Sequence, residues 1–207
     1  MKSVVIVQAR LNSTRLPRKV MMDIGGAPMV EIVLSRCLSA GADEVVLAVP
    51  DHDLELAAVA HRIGIRVSYG PEEDVLARYV WAARASKADI IMRITADCPL
   101  IEPKVMSAVL GVVKRGGVDY CSNVMPRSFE KGLDCEAFTR WALELAGKKA
   151  TTKYDREHVT PWIQRSKRLN KINIESGEPG RADINWSVDT AEDLEVVRLE
   201  WARRYPE

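Results

Sequence analysis

A chain of 207 residues, 47% of them hydrophobic and 29% charged, is long enough to bury a sizeable core and too apolar to be disordered. Its 30 Lys and Arg face 29 Asp and Glu, so no net field draws in nucleic acid or an anionic membrane, and no apolar run approaches the ~20 residues that cross a bilayer. The apolar stretch after Lys2 is short and runs straight into Arg10, unlike a secretion signal, so the expected compartment is the cytoplasm.

Residues 3–8, Ser-Val-Val-Ile-Val-Gln, are short, β-branched and almost without alternation, the pattern of a strand buried on both faces. Pro28 opens a helix with Met29, Ile32, Val33 and Cys37 on one side. Residues 44–49 form a second strand, ended by Pro50, and a helix carrying Leu56, Ala60 and Ile63 follows. A third strand over 65–69 closes at Gly70-Pro71, and the helix from Glu73 lines up Val75, Leu76, Tyr79, Val80 and Ala83. Residues 89–94 make a fourth strand, and Val105, Met106, Val109, Leu110 and Val113 mark a fourth amphipathic helix. Such strand–helix units predict an α/β fold, Rossmann-like, with three α/β/α layers around a mostly parallel sheet and a single domain over 1–207.

The rhythm breaks after Asp119. Residues 120–185 are expected to form a small irregular substrate or dimerisation lobe within the domain, with strands near 134–138 and 169–174 and helices near 138–147 and 155–164. Residues 184–188 are expected to return to the sheet. The last helix begins at Thr190-Ala-Glu-Asp193, a capping-box pattern, with Leu194, Val197 and Trp201 inward. The four cysteines show no CxxC spacing and read as reduced, packed thiols.

In open α/β sheets ligands bind beyond the carboxyl ends of the strands, which points to the segments after Gln8, Ile94 and Ser187. The first of these, Gln8-Ala-Arg-Leu-Asn-Ser-Thr-Arg-Leu-Pro-Arg-Lys19, is neither a P-loop nor a GxGxxG turn, since no glycine precedes Gly25. Between Met1 and Met22 there is no acidic residue. Arg10, Arg15 and Lys19, with the hydroxyls of Ser13 and Thr14, suit a triphosphate and a departing pyrophosphate; the alternative is a solvated basic loop. Asp97 and Asp189 lie just past the fourth and last strands. Magnesium favours one or two carboxylates together with phosphate oxygens, so the two fit a metal-dependent reaction. Asp189 could instead be a helix-terminal charge, and Asp97 a turn residue before Pro99.

The pattern Gln-Ala-Arg-x-x-Ser-x-Arg-Leu-Pro-x-Lys resembles the signature of the cytidylyltransferases that activate sugar acids: the 3-deoxy-manno-octulosonate and acylneuraminate enzymes, and most closely their spore coat polysaccharide branch. The resemblance continues through Gly25-Gly-Ala-Pro-Met29, Glu73-Asp-Val-Leu-Ala-Arg-Tyr79, Arg93-Ile-Thr-Ala-Asp-Cys-Pro-Leu100, Ser122-Asn123, Gly132-Leu-Asp-Cys-Glu136, Arg156-Glu-His-Val-Thr-Pro161 and Ser187-Val-Asp-Thr-Ala-Glu-Asp-Leu194. It implies CTP-dependent transfer of CMP to a sugar or sugar acid with release of pyrophosphate, magnesium on Asp97 and Asp189, and a homodimer. Arg10, Arg15, Lys19 and Asp97 would serve catalysis. Gln8, Ala9, Ser13, Thr14, Asp74 and Arg78 would join the three cations around the nucleotide. Asn123, Asp134, Glu136 and His158 would face the acceptor.

The octulosonate enzymes carry Ser-Gly-Thr-Asp-Arg near Glu73–Arg78 and Gly-Asp-Glu-Pro in place of Ala-Asp-Cys-Pro, departures that favour the spore-coat branch. Two rivals stand beside this reading. Sugar 1-phosphate nucleotidyltransferases using UTP or dTTP open with Gly-x-Gly-Thr-Arg, absent here. A non-catalytic nucleotide-binding subunit would be expected to have lost the basic loop or one aspartate.

Overall fold

The computed structural model of the protein describes residues 1–206. In chain order the strands are β1 (Ser3–Gln8), the hairpin of β2 (Asp23–Ile24) and β3 (Ala27–Pro28), β4 (Glu44–Pro50), β5 (Arg66–Gly70), β6 (Ile90–Thr95), β7 (Tyr120–Ser122), β8 (Glu136–Thr139) and β9 (Lys171–Asn173). The helices are α1 (Met29–Leu38), α2 (Leu54–Arg62), α3 (Val75–Ala85), α4 (Pro103–Lys114), α5 (Arg140–Lys149), α6 (Lys153–His158), α7 (Pro161–Arg165) and α8 (Ala191–Arg204). Seven strands form one sheet in the order β5-β4-β1-β6-β8-β7-β9. The first four of these pair in parallel, while β8 runs antiparallel to both β6 and β7.

β1 lacks alternation because both of its faces are covered. Val5 and Val7 pack with Val33 and Leu34 of α1, Leu56 of α2 and Leu110 of α4. Val4 and Ile6 pack on the other side with Leu76 and Tyr79 of α3 and Leu143 of α5. These are the two outer layers of the α/β/α sandwich. A smaller cluster joins Leu194 and Val197 of α8 to Ile24, Met29 and Ile32, and closes the sandwich beside the β2–β3 hairpin.

The stretch after Asp119 supplies β7, β8 and β9 to the main sheet. Two features differ from the pattern read along the chain. The helix expected over 155–164 is two helices, because Val159 adopts φ 70° and Pro161, which has no N–H to continue a helix, starts α7 instead. Residues 184–188 do not return to the sheet. Both flanks of β6 are already taken, by β1 and β8, so the returning segment pairs with a loop. Lys131 N donates to Ile184 O at 2.9 Å and Trp186 N to Lys131 O at 2.7 Å; Val188 N then reaches Asp97 O at 2.9 Å.

That crossing depends on Gly132. Its φ is 95°, and a Cβ there would lie 2.6 Å from the carbonyl carbon of Trp186 and 2.7 Å from Ser187 N. Gly132→Ala should cost about 1–3 kcal/mol from overpacking and a disfavoured backbone. Urea denaturation would measure it; a midpoint unchanged from the parent would show that the two segments do not press together as described.

Candidate active site

The loop after β1 is built rather than loose. Leu11 N donates to the buried carboxylate of Asp53 at 2.9 Å, and both Ser13 N and Arg18 N return to Leu11 O. Arg18, at φ 60°, sends its guanidinium outward to Glu55 at 2.6 Å. The next residue opens a short 3-10 turn and points inward. Arg18 and Lys19, adjacent in the chain, therefore point in opposite directions.

Lys19 ends among three oxygens. Its Nζ donates to Asp97 Oδ2 at 2.8 Å, Val188 O at 2.7 Å and Asp189 Oδ1 at 2.9 Å. An ammonium carries three N–H donors, so every one is used. Arg15 reaches the same Asp189 oxygen at 2.8 Å, and Lys131 approaches Asp189 Oδ2 at 3.8 Å. Burial works against charge on Lys19, but Asp97 and Asp189 outweigh it and hold the ammonium above the ordinary lysine value. Burial likewise opposes ionisation of Asp189, and Lys19, Arg15 and Lys131 overcome it, leaving the carboxyl below its ordinary range. Asp189 does not cap α8. Thr190 does so, in a reciprocal box with Asp193.

This cluster sits in a cleft of about 340 Å³ at the carboxyl ends of β1 and β6. Of the residues singled out from sequence, Gln8, Ala9, Arg10, Ser13, Thr14, Arg15, Lys19, Arg78, Asp97, His158 and Asp189 line it. Buried polar atoms without a partner gather at the same place: Gln8 Oε1, Arg78 Nε and Arg93 Nε. Arg78 is 1% exposed, has no carboxylate partner among the described residues and makes only a 3.4 Å contact to Ala9 O. Burial, together with nearby Arg10, pulls its pKa below the ordinary arginine value. An unpaired buried guanidinium in a cleft wall is costly unless a ligand completes it. His158 stands on α6 with its ring 4.5 Å from that of Tyr154, and its neighbour Glu157 lies 3.8 Å from Arg10.

The remaining four candidates do not line the cleft. Asp74 caps α3 through Ala77 N at 2.9 Å and pairs with Arg156. Asn123 is fully buried; its amide donates to Leu133 O at 2.7 Å and accepts from Cys135 N at 2.8 Å, which pins the two halves of the loop between β7 and β8. Asp134 is held bidentate by Arg127 at 2.6 and 2.7 Å. Glu136 lies beneath the floor, where its carboxylate accepts from Arg93, Tyr120, Thr160 and Gln164. Arg93, opposite Glu136 across the β6–β8 pair, does line the cleft and was not foreseen. A lone arginine inside the apolar run Ile90-Ile-Met-Arg-Ile94 was the available signal, since a charge is seldom buried without a partner or a task.

The cytidylyltransferase family profile matches residues 4–198. The chain belongs to the cytidylyltransferase family. The spore coat polysaccharide biosynthesis protein SpsF of Bacillus subtilis is 30% identical over 203 residues, covering 93% of this chain and 83% of SpsF. An uncharacterized protein of Methanocaldococcus jannaschii is 34% identical over 201 residues, covering 95% of this chain and 82% of its own. A solved cytidylyltransferase of Leptospira borgpetersenii superposes with a TM-score of 0.93 at 27% identity, over 100% of this chain and 89% of that one.

A cytidylyltransferase moves the CMP part of CTP to an acceptor as pyrophosphate departs, and the basic cleft is suited to that polyanion. No helix among the described residues is long and apolar enough to cross a membrane. For a divalent ion, the donor set can be tested directly. No group of three or more His, Cys, Asp and Glu side chains is assembled among the described residues. Asp97, Asp189 and the Val188 carbonyl already surround one cation, the Lys19 ammonium, with oxygens only. Two carboxylates to be completed by phosphate oxygens and water fit magnesium better than a closed protein cage would.

Proposed function

We propose that this cytidylyltransferase transfers CMP from CTP to the hydroxyl of a sugar or sugar acid used in a surface polysaccharide, with magnesium held by Asp97 and Asp189. The observation that carries this reading is the meeting of the two carboxylates with Lys19 and Arg15 in a cleft also lined by Arg10. The likeness to SpsF and the motif from Gln8 to Lys19 support the polysaccharide setting and the sugar-type acceptor.

Arg10, Arg15 and Lys19 hold the β- and γ-phosphates and neutralise the pyrophosphate as it leaves. Gln8, Ala9, Ser13, Thr14 and Arg78 line the nucleotide's part of the cleft, with Arg78 donating the N–H groups it cannot place elsewhere. Asp74 stays behind this wall, fixing the start of α3 and with it Arg78. When bound, magnesium supplies Lewis-acid polarisation of the α-phosphate and a template for the attacking oxygen. The acceptor enters from the side of α6, where His158 can hydrogen-bond it. Asn123, Asp134 and Glu136 shape that side through the loop between β7 and β8 and the floor residue Arg93. Positioning and charge supply most of the rate, with no protein nucleophile. The enzyme works in the cytoplasm as a homodimer, its 120–185 segment serving acceptor and partner contacts; sedimentation at micromolar concentration tests the dimer.

Pyrophosphate release from each of the four nucleoside triphosphates, against a panel of sugar acids and sugar 1-phosphates, tests the assignment. CTP with a sugar or sugar acid should be turned over, excess chelator should abolish the signal and magnesium should restore it. Turnover of UTP or dTTP with a sugar 1-phosphate would replace this reading with its nearest rival. Undiminished activity in chelator would remove the metal from it.

A further inference from the structure

The carboxylate pair is already matched in charge before any ligand enters. Asp97 and Asp189 share the Lys19 ammonium, Asp189 also holds Arg15, and Lys131 stands 3.8 Å away. Two negative charges therefore face two cations in contact and a third nearby, so a free divalent ion meets no excess of negative charge. Geometry adds to this. Magnesium needs oxygens at about 2.0–2.1 Å on each ligand, and Asp97 Oδ2 and Asp189 Oδ1 are the oxygens that the ammonium touches. Ammonium and metal cannot both sit against that pair of oxygens.

A triphosphate changes the balance. It brings several negative charges into a cleft lined by Arg10, Arg15 and Lys19, and so offers Lys19 and Arg15 other partners. Lys19 has a flexible four-carbon stem on a short turn, which lets its head move without unfolding the loop.

We infer that Lys19 is an internal counter-ion that holds Asp97 and Asp189 together in the free enzyme, is drawn off by the triphosphate, and so admits the divalent ion with the nucleotide and not before it. The inference rests on the assignment of Asp97 and Asp189 as the metal carboxylates. It makes Lys19 a positioning residue for those two side chains as well as a phosphate contact.

Manganese binding read by electron paramagnetic resonance tests this without turnover. Wild type, Lys19→Met and Lys19→Arg are titrated with manganese, first alone and then with an α,β-methylene analogue of CTP. Without nucleotide, Lys19→Met should bind manganese at least about tenfold more tightly than wild type, because a cation in contact with both carboxylates has been removed. Lys19→Arg, which keeps a cation against both carboxylates, should resemble wild type. With the analogue, wild type should gain affinity for manganese and overtake Lys19→Met. Free manganese bound no more tightly by Lys19→Met than by wild type overturns the inference, as does tight binding by Lys19→Arg. If Lys19→Met does not fold, wild type decides alone: equal manganese affinity with and without the analogue overturns the inference. Asp97→Asn and Asp189→Asn in the Lys19→Met background separate the two levels. Unchanged manganese affinity in both removes the metal assignment itself, whereas lost affinity with no Lys19 effect removes only the counter-ion.

Discussion

Asp189→Asn should lower turnover by at least about 10²–10³-fold, the scale of losing one preorganised electrostatic group, and leave the fold nearly as stable as before. The amide keeps the shape of the carboxylate but not the charge that draws Lys19, Arg15 and Lys131 to it. Helix α8 should not notice, because its cap is the reciprocal pair of Thr190 and Asp193. The amide oxygen can still accept from Lys19, which also keeps Asp97 and Val188 O as partners, so the stability change should stay within about 1–2 kcal/mol. Pyrophosphate release at limiting and saturating magnesium, beside thermal melting, checks both halves. A variant as active as the parent at limiting magnesium would leave Asp97 alone and dissolve the proposed metal pair.

Glu136→Ala should act in the opposite way, on stability first. Its carboxylate is 5% exposed and accepts from Arg93 at 2.8 Å, Tyr120 at 2.5 Å, Gln164 at 2.9 Å and Thr160 at 3.1 Å. Burial opposes charge on Arg93 and Glu136 restores it, keeping that guanidinium above its ordinary value. Truncation would strand the Arg93 charge and leave the Tyr120 hydroxyl without its acceptor, while the Gln164 amide would keep only longer contacts, 3.3 Å to Tyr120 and 3.5 Å to Thr160. Breaking a buried pair from one side costs about 3–5 kcal/mol. Urea denaturation should show a loss of that size. If Glu136 instead contacts acceptor hydroxyls directly, stability should hardly move and only the acceptor KM should rise, which would reverse the role given to it here.

These two aspects of the molecule were not equally visible in the residues. β1 was legible to the residue, and β4 and β6 to within one, because a strand covered on both faces must be a continuous apolar run; β5, a half-exposed edge strand, was legible to within one from the Gly70-Pro71 that ends it. The cleft was legible for a related reason. Parallel strands deliver their carboxyl-end loops to one rim, so the loop after Gln8 and the turn holding Asp97 had to be neighbours across β1 and β6. Charge type and order along the chain were enough to locate Arg10, Arg15, Lys19 and Asp97 there.

What local pattern could not decide was partnership between distant segments. The pairing of 184–188 with Lys131 rather than with a strand depends on which sheet edges are free, a property of the assembled sheet. The Thr190–Asp193 capping box could be read along the chain, but Asp189 could still have been a helix-terminal charge, and only the approach of Lys19 across 170 positions shows that it turns toward the cleft. Glu136 looked like a polar residue offered to an acceptor until β8 was placed against β6, directly opposite Arg93. Residue type and period determined the layers and the rim on which the chemistry lies; the three-dimensional packing decided which charge neutralises which, because ion pairing is set by distance through space and not by separation along the chain.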